Sequence, residues 1–248
     1  MKKNIIAMIP ARIGSKRLKV KNLAILNNQP LIYYAVEAAK KSAVFNKIVI
    51  NSDHIIFKKI ADRLNVDFYL RPKNLGSSAT KSDDVIANFI KNYPKAEIVA
   101  WVNSIAPLQQ PNEIKSILRH FIKNKLDSLI TVEDKNVHSI FNDKPINFNF
   151  KESFARTQDL NPVKLFVYSL MVWNSNKFIE EYNKTGGAIF CGKFKTFSIS
   201  KLNSLIIKTK EDLLLAEAII KNRNFSKKTN NIKYDRVFNL INKQNDKK

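Results

Sequence analysis

The stretch Ile5-Ile6-Ala7-Met8-Ile9-Pro10-Ala11-Arg12-Ile13-Gly14-Ser15-Lys16-Arg17-Leu18-Lys19-Val20-Lys21-Asn22 decides the fold. It opens on an apolar run, Ile5 to Ile9, that reads as a buried strand. A basic loop follows at once, holding Arg12, Lys16, Arg17, Lys19 and Lys21 with no acid between them. An open α/β sheet places its phosphate-binding turn directly after the first strand. Gly14-Ser15 lets the backbone approach a ligand and offers N–H donors to anion oxygens. The loop lacks both the Gly-Lys-Ser/Thr ending of a Walker A loop and the G-x-G-x-x-G of dinucleotide-binding folds. It reads as a phosphate loop of another kind.

Outward from this loop, short apolar runs alternate with amphipathic stretches. The pattern predicts strands over 5–9, 47–51, 67–70, 98–102 and 128–132. Helices are predicted over 30–42, 55–64, 82–92 and 111–123. Ser82 reads as an N-cap ahead of Asp83 and Asp84, and Pro111 as a first-turn proline. Continuous apolar strands alternating with helices argue for a parallel sheet covered on both faces. Residues from about 133 to 159 are polar with scattered aromatics and read as an insertion of irregular or antiparallel structure. Strands are then predicted over 165–173, 194–199 and 204–207, and helices over 175–182 and 210–223. Thr209 reads as the cap of the last helix. The basic, Asn-rich segment 226–248 reads as a tail in which Val237, Phe238, Leu240 and Ile241 could dock one final turn.

The chain has 248 residues, 43 Lys+Arg against 21 Asp+Glu, and a net charge of +22. A hydrophobic content of 44% excludes a disordered chain. One cysteine, Cys191, excludes an internal disulfide and a multi-cysteine zinc site. The apolar run at the N-terminus is too short for a signal peptide, and no run reaches the roughly 18 residues of a membrane span. A soluble cytoplasmic protein is expected. The charge raises nucleic acid as a partner, but the background is rich in Lys, Asn and Ile together. Outside the loop and the tail the cations are scattered, so neither nucleic acid nor membrane is expected. His54, His120 and His138 have no metal spacing. Trp101 and Trp173 read as core, and Cys191 as structural.

Pro10-Ala11-Arg12-x-Gly14-Ser15-Lys16-x-Leu18-x-x-Lys21-Asn22 resembles the signature of the acylneuraminate cytidylyltransferases. The resemblance continues through Asn27-Asn28-Gln29-Pro30-Leu31-Ile32, Ser52-Asp53, Arg71-Pro72, Ser82-Asp83, Pro107-Leu108, Arg156-x-Gln158-Asp159-Leu160 and Thr209-x-x-Asp212-Leu213. It implies a three-layer α/β/α, Rossmann-like nucleotide-diphospho-sugar transferase fold with a mostly parallel sheet. A domain over 1–225 would contain a dimerisation and acceptor insertion at about 133–173. The implied reaction joins CTP to an acidic, sialic acid-like sugar, or to a related 3-deoxy acid or phosphonate, and releases pyrophosphate. Arg12, Lys21 and Lys16 are then the expected catalytic cations. Ala11, Arg12, Gly14, Ser15, Asn22, Ser82 and Asn103 would bind the nucleotide. Gln109, Arg156 and Gln158 would bind the acceptor. A homodimer and a magnesium ion are implied as well.

Three departures stand against the pattern. The family's Gln-Pro-Thr-Ser-Pro-Leu-Arg is Asn103-Ser104-Ile105-Ala106-Pro107-Leu108-Gln109 here. Tyr168-Ser169 stands where the family has Asn-Gly. The family's metal-binding pair, Asp-Ile-Asp-Thr, is Ile206-Ile207-Lys208-Thr209, so both carboxylates are lost. Three readings are open for the last. Lys208 supplies part of the metal's charge, the triphosphate with Asp53 or Asp212 alone holds the ion, or the protein binds nucleotide without catalysis.

Overall fold

The computed structural model of the chain describes residues 3–226. In chain order the strands are β1 (Ile5–Ala11), β2 (Ile25–Leu26), β3 (Gln29–Pro30), β4 (Lys47–Ser52), β5 (Asp67–Leu70), β6 (Ile98–Val102), β7 (Ser128–Lys135), β8 (Ile140–Phe141), β9 (Lys144–Pro145), β10 (Val163–Asn174) and β11 (Phe194–Ser198). The helices are α1 (Leu31–Ser42), α2 (Ile56–Leu64), α3 (Ser82–Asn92), α4 (Pro111–Lys123), α5 (Ser175–Thr185) and α6 (Lys210–Ser226).

Seven strands form one sheet in the order β11-β7-β10-β6-β1-β4-β5. β1 is parallel to both β4 and β6, and β11 is parallel to β7. β10 alone runs antiparallel, between β6 and β7. The chain leaves β1 toward β4 and β5, then returns to the other side of β1 with β6. That reversal makes β1/β6 the switch point, where a crevice opens outside the carboxyl ends of the strands.

Strand alternation divides the core. Ile5, Ala7, Ile9 and Ala11 of β1 face a cluster with Ile32 and Val36 of α1, Phe57 of α2 and Ile117 of α4. Ile6 and Met8 face the opposite cluster, with Ile86 and Phe89 of α3 and Phe178 of α5. The sheet is therefore covered on both faces, the three-layer architecture expected. Trp173 is fully buried there, and its indole N–H donates to the Ile189 carbonyl at 2.9 Å. Helix ends follow local chemistry. The Asn174 side chain accepts from the N–H groups of Asn176 and Lys177, and Gly186 closes α5 in the left-handed conformation at φ 73°. Pro111 occupies the first turn of α4 as expected.

Two local expectations need correction. Residues 204–207 pair with no strand; they form a turn and an extended segment whose Ile207 N–H donates to the Ile105 carbonyl. Ser82 is not an N-cap but the first residue of α3, preceded by Lys81 with no side-chain cap. The tail readings after Ser226, including Val237, Phe238, Leu240 and Ile241, lie outside the described residues. Among the described residues no helix is long and apolar enough to cross a membrane.

Candidate active site

A cleft of about 580 Å³ opens at the switch point. Residues of the loop after β1 line one side, Trp101 and Asn103 to Ile105 another, and Arg71 with Leu75, Ser77, Ser78, Thr80 and Ser82 a third. Ala11, Arg12, Ser15, Lys16, Lys21, Asn22, Ser82 and Asn103 all line it, so most of the expected nucleotide residues converge. Gly14 does not, and a Cβ there would meet nothing within 4 Å, so crowding does not explain that glycine. Trp101, expected in the core, also forms part of the wall.

The loop is held from below. The chain re-enters regular structure through Val20, a β-branched residue at φ 45° in the left-handed region. Such placements cost about 1–3 kcal/mol and persist only where surroundings impose them. The following 3₁₀ turn, Lys21–Leu23, buries Asn22. Ser104 Oγ lies 2.7 Å from the Pro10 carbonyl and 2.9 Å from Asn22 Oδ1. The single hydroxyl proton is shared between these two acceptors, so Ser104 ties the Asn22 side chain to the end of β1.

Arg71, Lys208 and Arg17 also line the cleft, and no carboxylate does. Lys21 shows the effect of that field. Burial first, then Arg17 and Arg12, lower its pKa to about 8, with Asp212 opposing. Its ammonium donates to the Ile207 carbonyl at 2.9 Å. Arg71 is 4% exposed and donates to the Asn51 carbonyl at 2.7 Å, with Asp53 Oδ1 at 3.5 Å. A Cβ at Gly76 would overlap the Asp53 side chain, so the loop that carries Ser77 and Ser78 packs directly on this ion pair.

A second cleft, of about 710 Å³, shares Asn103, Ile105 and Lys208 with the first. Leu165, Phe166, Tyr168, Leu202 and Leu215 give it an apolar wall, and Lys135, Lys201, Glu133 and Asp212 a polar one. It exists because β10 is irregular: its register with β7 shifts between Phe166 and Met171. Tyr168 sits there at φ 59°, and its carbonyl accepts from Asn103 Nδ2 at 3.0 Å. The Asn-Gly of the resembling family suits such a backbone, and here a tyrosine adopts it.

The expected acceptor residues lie elsewhere. Gln109 is buried and lines neither cleft. Arg156 and Gln158 lie on an exposed turn, where Arg156 pairs with Asp159 at 2.9 Å. His54 Nδ1 accepts the Ile56 N–H at the start of α2. Cys191 is buried, which pushes its thiol up to about 11. Arg71 and Ser104 were not expected as site residues. Their signal was positional, since each follows a strand on the side where the crevice opens.

The donors present do not fit a carboxylate-held magnesium ion. Ile206 offers no oxygen from its side chain, and Lys208 an ammonium. Asp212 Oδ2 accepts the N–H groups of Lys208 and Thr209, both at 2.8 Å, while Thr209 Oγ1 accepts the Asp212 N–H. This is a capping box for α6. Burial would raise the Asp212 pKa, but those bonds and Lys208 bring it below the usual value. Asp53 is tied to Arg71 and lines neither cleft. Among the described residues no group of three or more His, Cys, Asp or Glu comes together.

Fold and cleft define an α/β protein with a cation-lined cleft at the sheet's switch point. The cytidylyltransferase family model matches residues 6–233, and the chain belongs to that family. An N-acylneuraminate cytidylyltransferase of Escherichia coli is 27% identical over 262 aligned residues, covering 100% of this chain and 58% of the relative. That of Streptococcus agalactiae serotype III is 23% identical, covering 84% and 51%. The chain thus spans little more than half the length of these relatives. A pseudaminic acid cytidylyltransferase of Campylobacter jejuni is 26% identical, covering 87% of this chain and 96% of the relative. The solved structure of a CMP:2-keto-3-deoxy-manno-octonic acid synthetase with CTP shares the fold, with a TM-score of 0.69 at 14% identity, covering 89% and 100%.

Proposed function

We propose that the protein transfers CMP from CTP to the hydroxyl of an acidic, sialic acid-like sugar. The observation that carries this reading is the carboxylate-free, cation-lined cleft opening directly onto a second cleft through Asn103, Ile105 and Lys208. In the reaction the acceptor oxygen attacks the α-phosphorus. The bond from that phosphorus to the bridging oxygen breaks, pyrophosphate leaves with the electron pair, and the hydroxyl proton passes to water. Such a displacement needs positioning and charge neutralisation more than covalent chemistry. Arg12, Lys16 and Lys21 hold the triphosphate, and Asn22, Ser15, Ser82 and Arg71 orient the nucleoside end. The acceptor enters the second cleft, where Lys201 meets its carboxylate and the Leu165–Phe166–Tyr168 wall its apolar substituents. Magnesium, expected from the resemblance, would enter as a counter-ion of CTP. CTP and a reduced lone cysteine both fit the cytoplasm.

The test is pyrophosphate release with each of the four nucleoside triphosphates against a panel of sialic, 3-deoxy and phosphonate acids. Release with CTP and one class of acid is expected. Tight CTP binding without release for any acid would overturn the reading in favour of a non-catalytic nucleotide-binding protein.

Lys21 makes binding depend on pH. CTP affinity is expected to be greatest below pH 8 and to fall as pH rises through the Lys21 pKa of about 8. Because the bound triphosphate favours the ammonium, binding near that pH should take up protons. Calorimetry in buffers of different ionisation heat checks this, and Lys21→Met should abolish the uptake.

We further propose a homodimer through the insertion at 133–173. Ile140, Phe141, Ile146, Phe150, Phe154 and Phe166 are exposed there, more apolar surface than an isolated chain leaves uncovered without reason. Such a face would bring Arg156 and Gln158 to a partner subunit. Light scattering should report a dimer, and Phe141→Glu with Phe154→Glu should yield monomers of unchanged melting temperature.

A further inference from the structure

We propose that the Lys208 ammonium joins the anions of donor and acceptor at the reaction centre, in the place of a divalent ion held by carboxylates of this chain. The inference rests on reading the two clefts as the donor and acceptor sites. Lys208 is the only cation that lines both clefts among the described residues. Its Nζ makes no hydrogen bond or ion pair with any described residue, although Asp212 lies close enough to feel its charge. Its backbone, by contrast, is fixed. The Lys208 N–H donates to Asp212 Oδ2, the neighbouring Ile207 N–H donates to the Ile105 carbonyl, and the Ile207 carbonyl accepts from Lys21. The arrangement holds the stem and leaves the charged end for ligands.

Magnesium demands near-octahedral oxygen coordination and is held through carboxylates and phosphates. The first cleft supplies no carboxylate. Asp212, which lines the second cleft with Lys208, has one oxygen committed to two backbone N–H groups. An ammonium needs no such cage. It is a compact point charge with three donors, so one can meet a phosphate oxygen and another an acceptor carboxylate.

The test is CTP affinity, measured by calorimetry in excess magnesium and in excess chelator. For the wild-type chain the two values should agree within about threefold, a small difference in binding free energy. Lys208→Ala should weaken CTP by about tenfold or more in chelator, the usual loss for a hydrogen bond to a charged group, and Lys208→Arg should restore most of it. The paired change Ile206→Asp with Lys208→Asp should make binding depend on magnesium by about tenfold or more. A wild-type affinity that falls more than about tenfold in chelator overturns the proposal, as does a folded Lys208→Ala variant that binds like wild type. If that variant does not fold, the wild-type comparison decides alone. CTP binding that ignores magnesium, without pyrophosphate release for any acid, would sink the transferase reading and the acceptor half of this proposal, leaving Lys208 as a cation for the nucleotide alone. Release with strictly magnesium-dependent CTP binding would do the reverse.

Discussion

Lys21→Met should lower turnover by about 10²–10³-fold, the scale seen when one preorganised charge at a developing anion is removed. The melting temperature should hold or rise. Lys21 stands in a field set by Arg17, Arg12 and Lys208, and burial already disfavours its charge. Its folded pKa of about 8 lies below the ordinary 10.5, so the native state resists the proton that the unfolded chain binds. Below pH 8 that penalty is fully present. Between about 8 and 10.5 it is relieved, so stability rises with pH across that window. Met keeps the length and apolar stem of the side chain and removes the penalty, at the loss of the bond to Ile207. Activity and stability should therefore move in different directions, which a fold defect cannot produce. Paired turnover and thermal-melt measurements check the point. A variant with near-normal turnover would remove Lys21 from the site.

Asp53→Ala should destabilise the fold by about 3–5 kcal/mol, because it leaves the buried Arg71 guanidinium without its counter-charge. Arg71 is 4% exposed and the Asp53 side chain 9%, so solvent gives little relief. The same substitution should weaken CTP, since Arg71 lines the cleft and the 73–80 loop packs on Asp53 through Gly76. Asp53 touches no ligand in this arrangement, so it acts as a positioning residue. Its signature is a raised KM for CTP with an unchanged KM for the acid. Chemical denaturation and steady-state kinetics together test it, and a stable variant with an unaltered CTP KM would refute it.

The architecture was legible in the sequence because each buried parallel strand is a short apolar run. The runs at Ile5, Val49, Val99 and Leu129 mark four strands of one sheet. Strand direction was not legible for Val163–Asn174. Its buried stretch, Ser169 to Trp173, has the same composition whichever way it runs, and only its neighbours reveal it as antiparallel. The apolar Leu205-Ile206-Ile207 was misread for a related reason. Leu205 and Ile207 pack with Leu26, Leu31 and α6, and Ile206 against the main core beside the sheet, so apolarity serves packing rather than sheet pairing. The basic loop stood out because Arg12, Lys16, Arg17, Lys19 and Lys21 follow one another with no acid between. Arg71 did not, since its partner Asp53 lies 18 residues earlier and only the parallel pairing of β4 with β5 brings them together. The Thr209–Asp212 box was legible as a helix start, and that local role explains an acid otherwise available for a metal.

The bond from Lys21 to the Ile207 carbonyl carries a kinetic consequence. One residue of the basic loop clasps the extended segment that bears Lys208. A nucleotide that draws the Lys21 ammonium toward its phosphates loosens this clasp, and the segment beside the second cleft can then settle around an incoming acid. An acid arriving first finds the clasp closed. Substrates should therefore add in a compulsory order, CTP ahead of the sugar acid. Product inhibition should show pyrophosphate and the activated sugar departing as distinct steps.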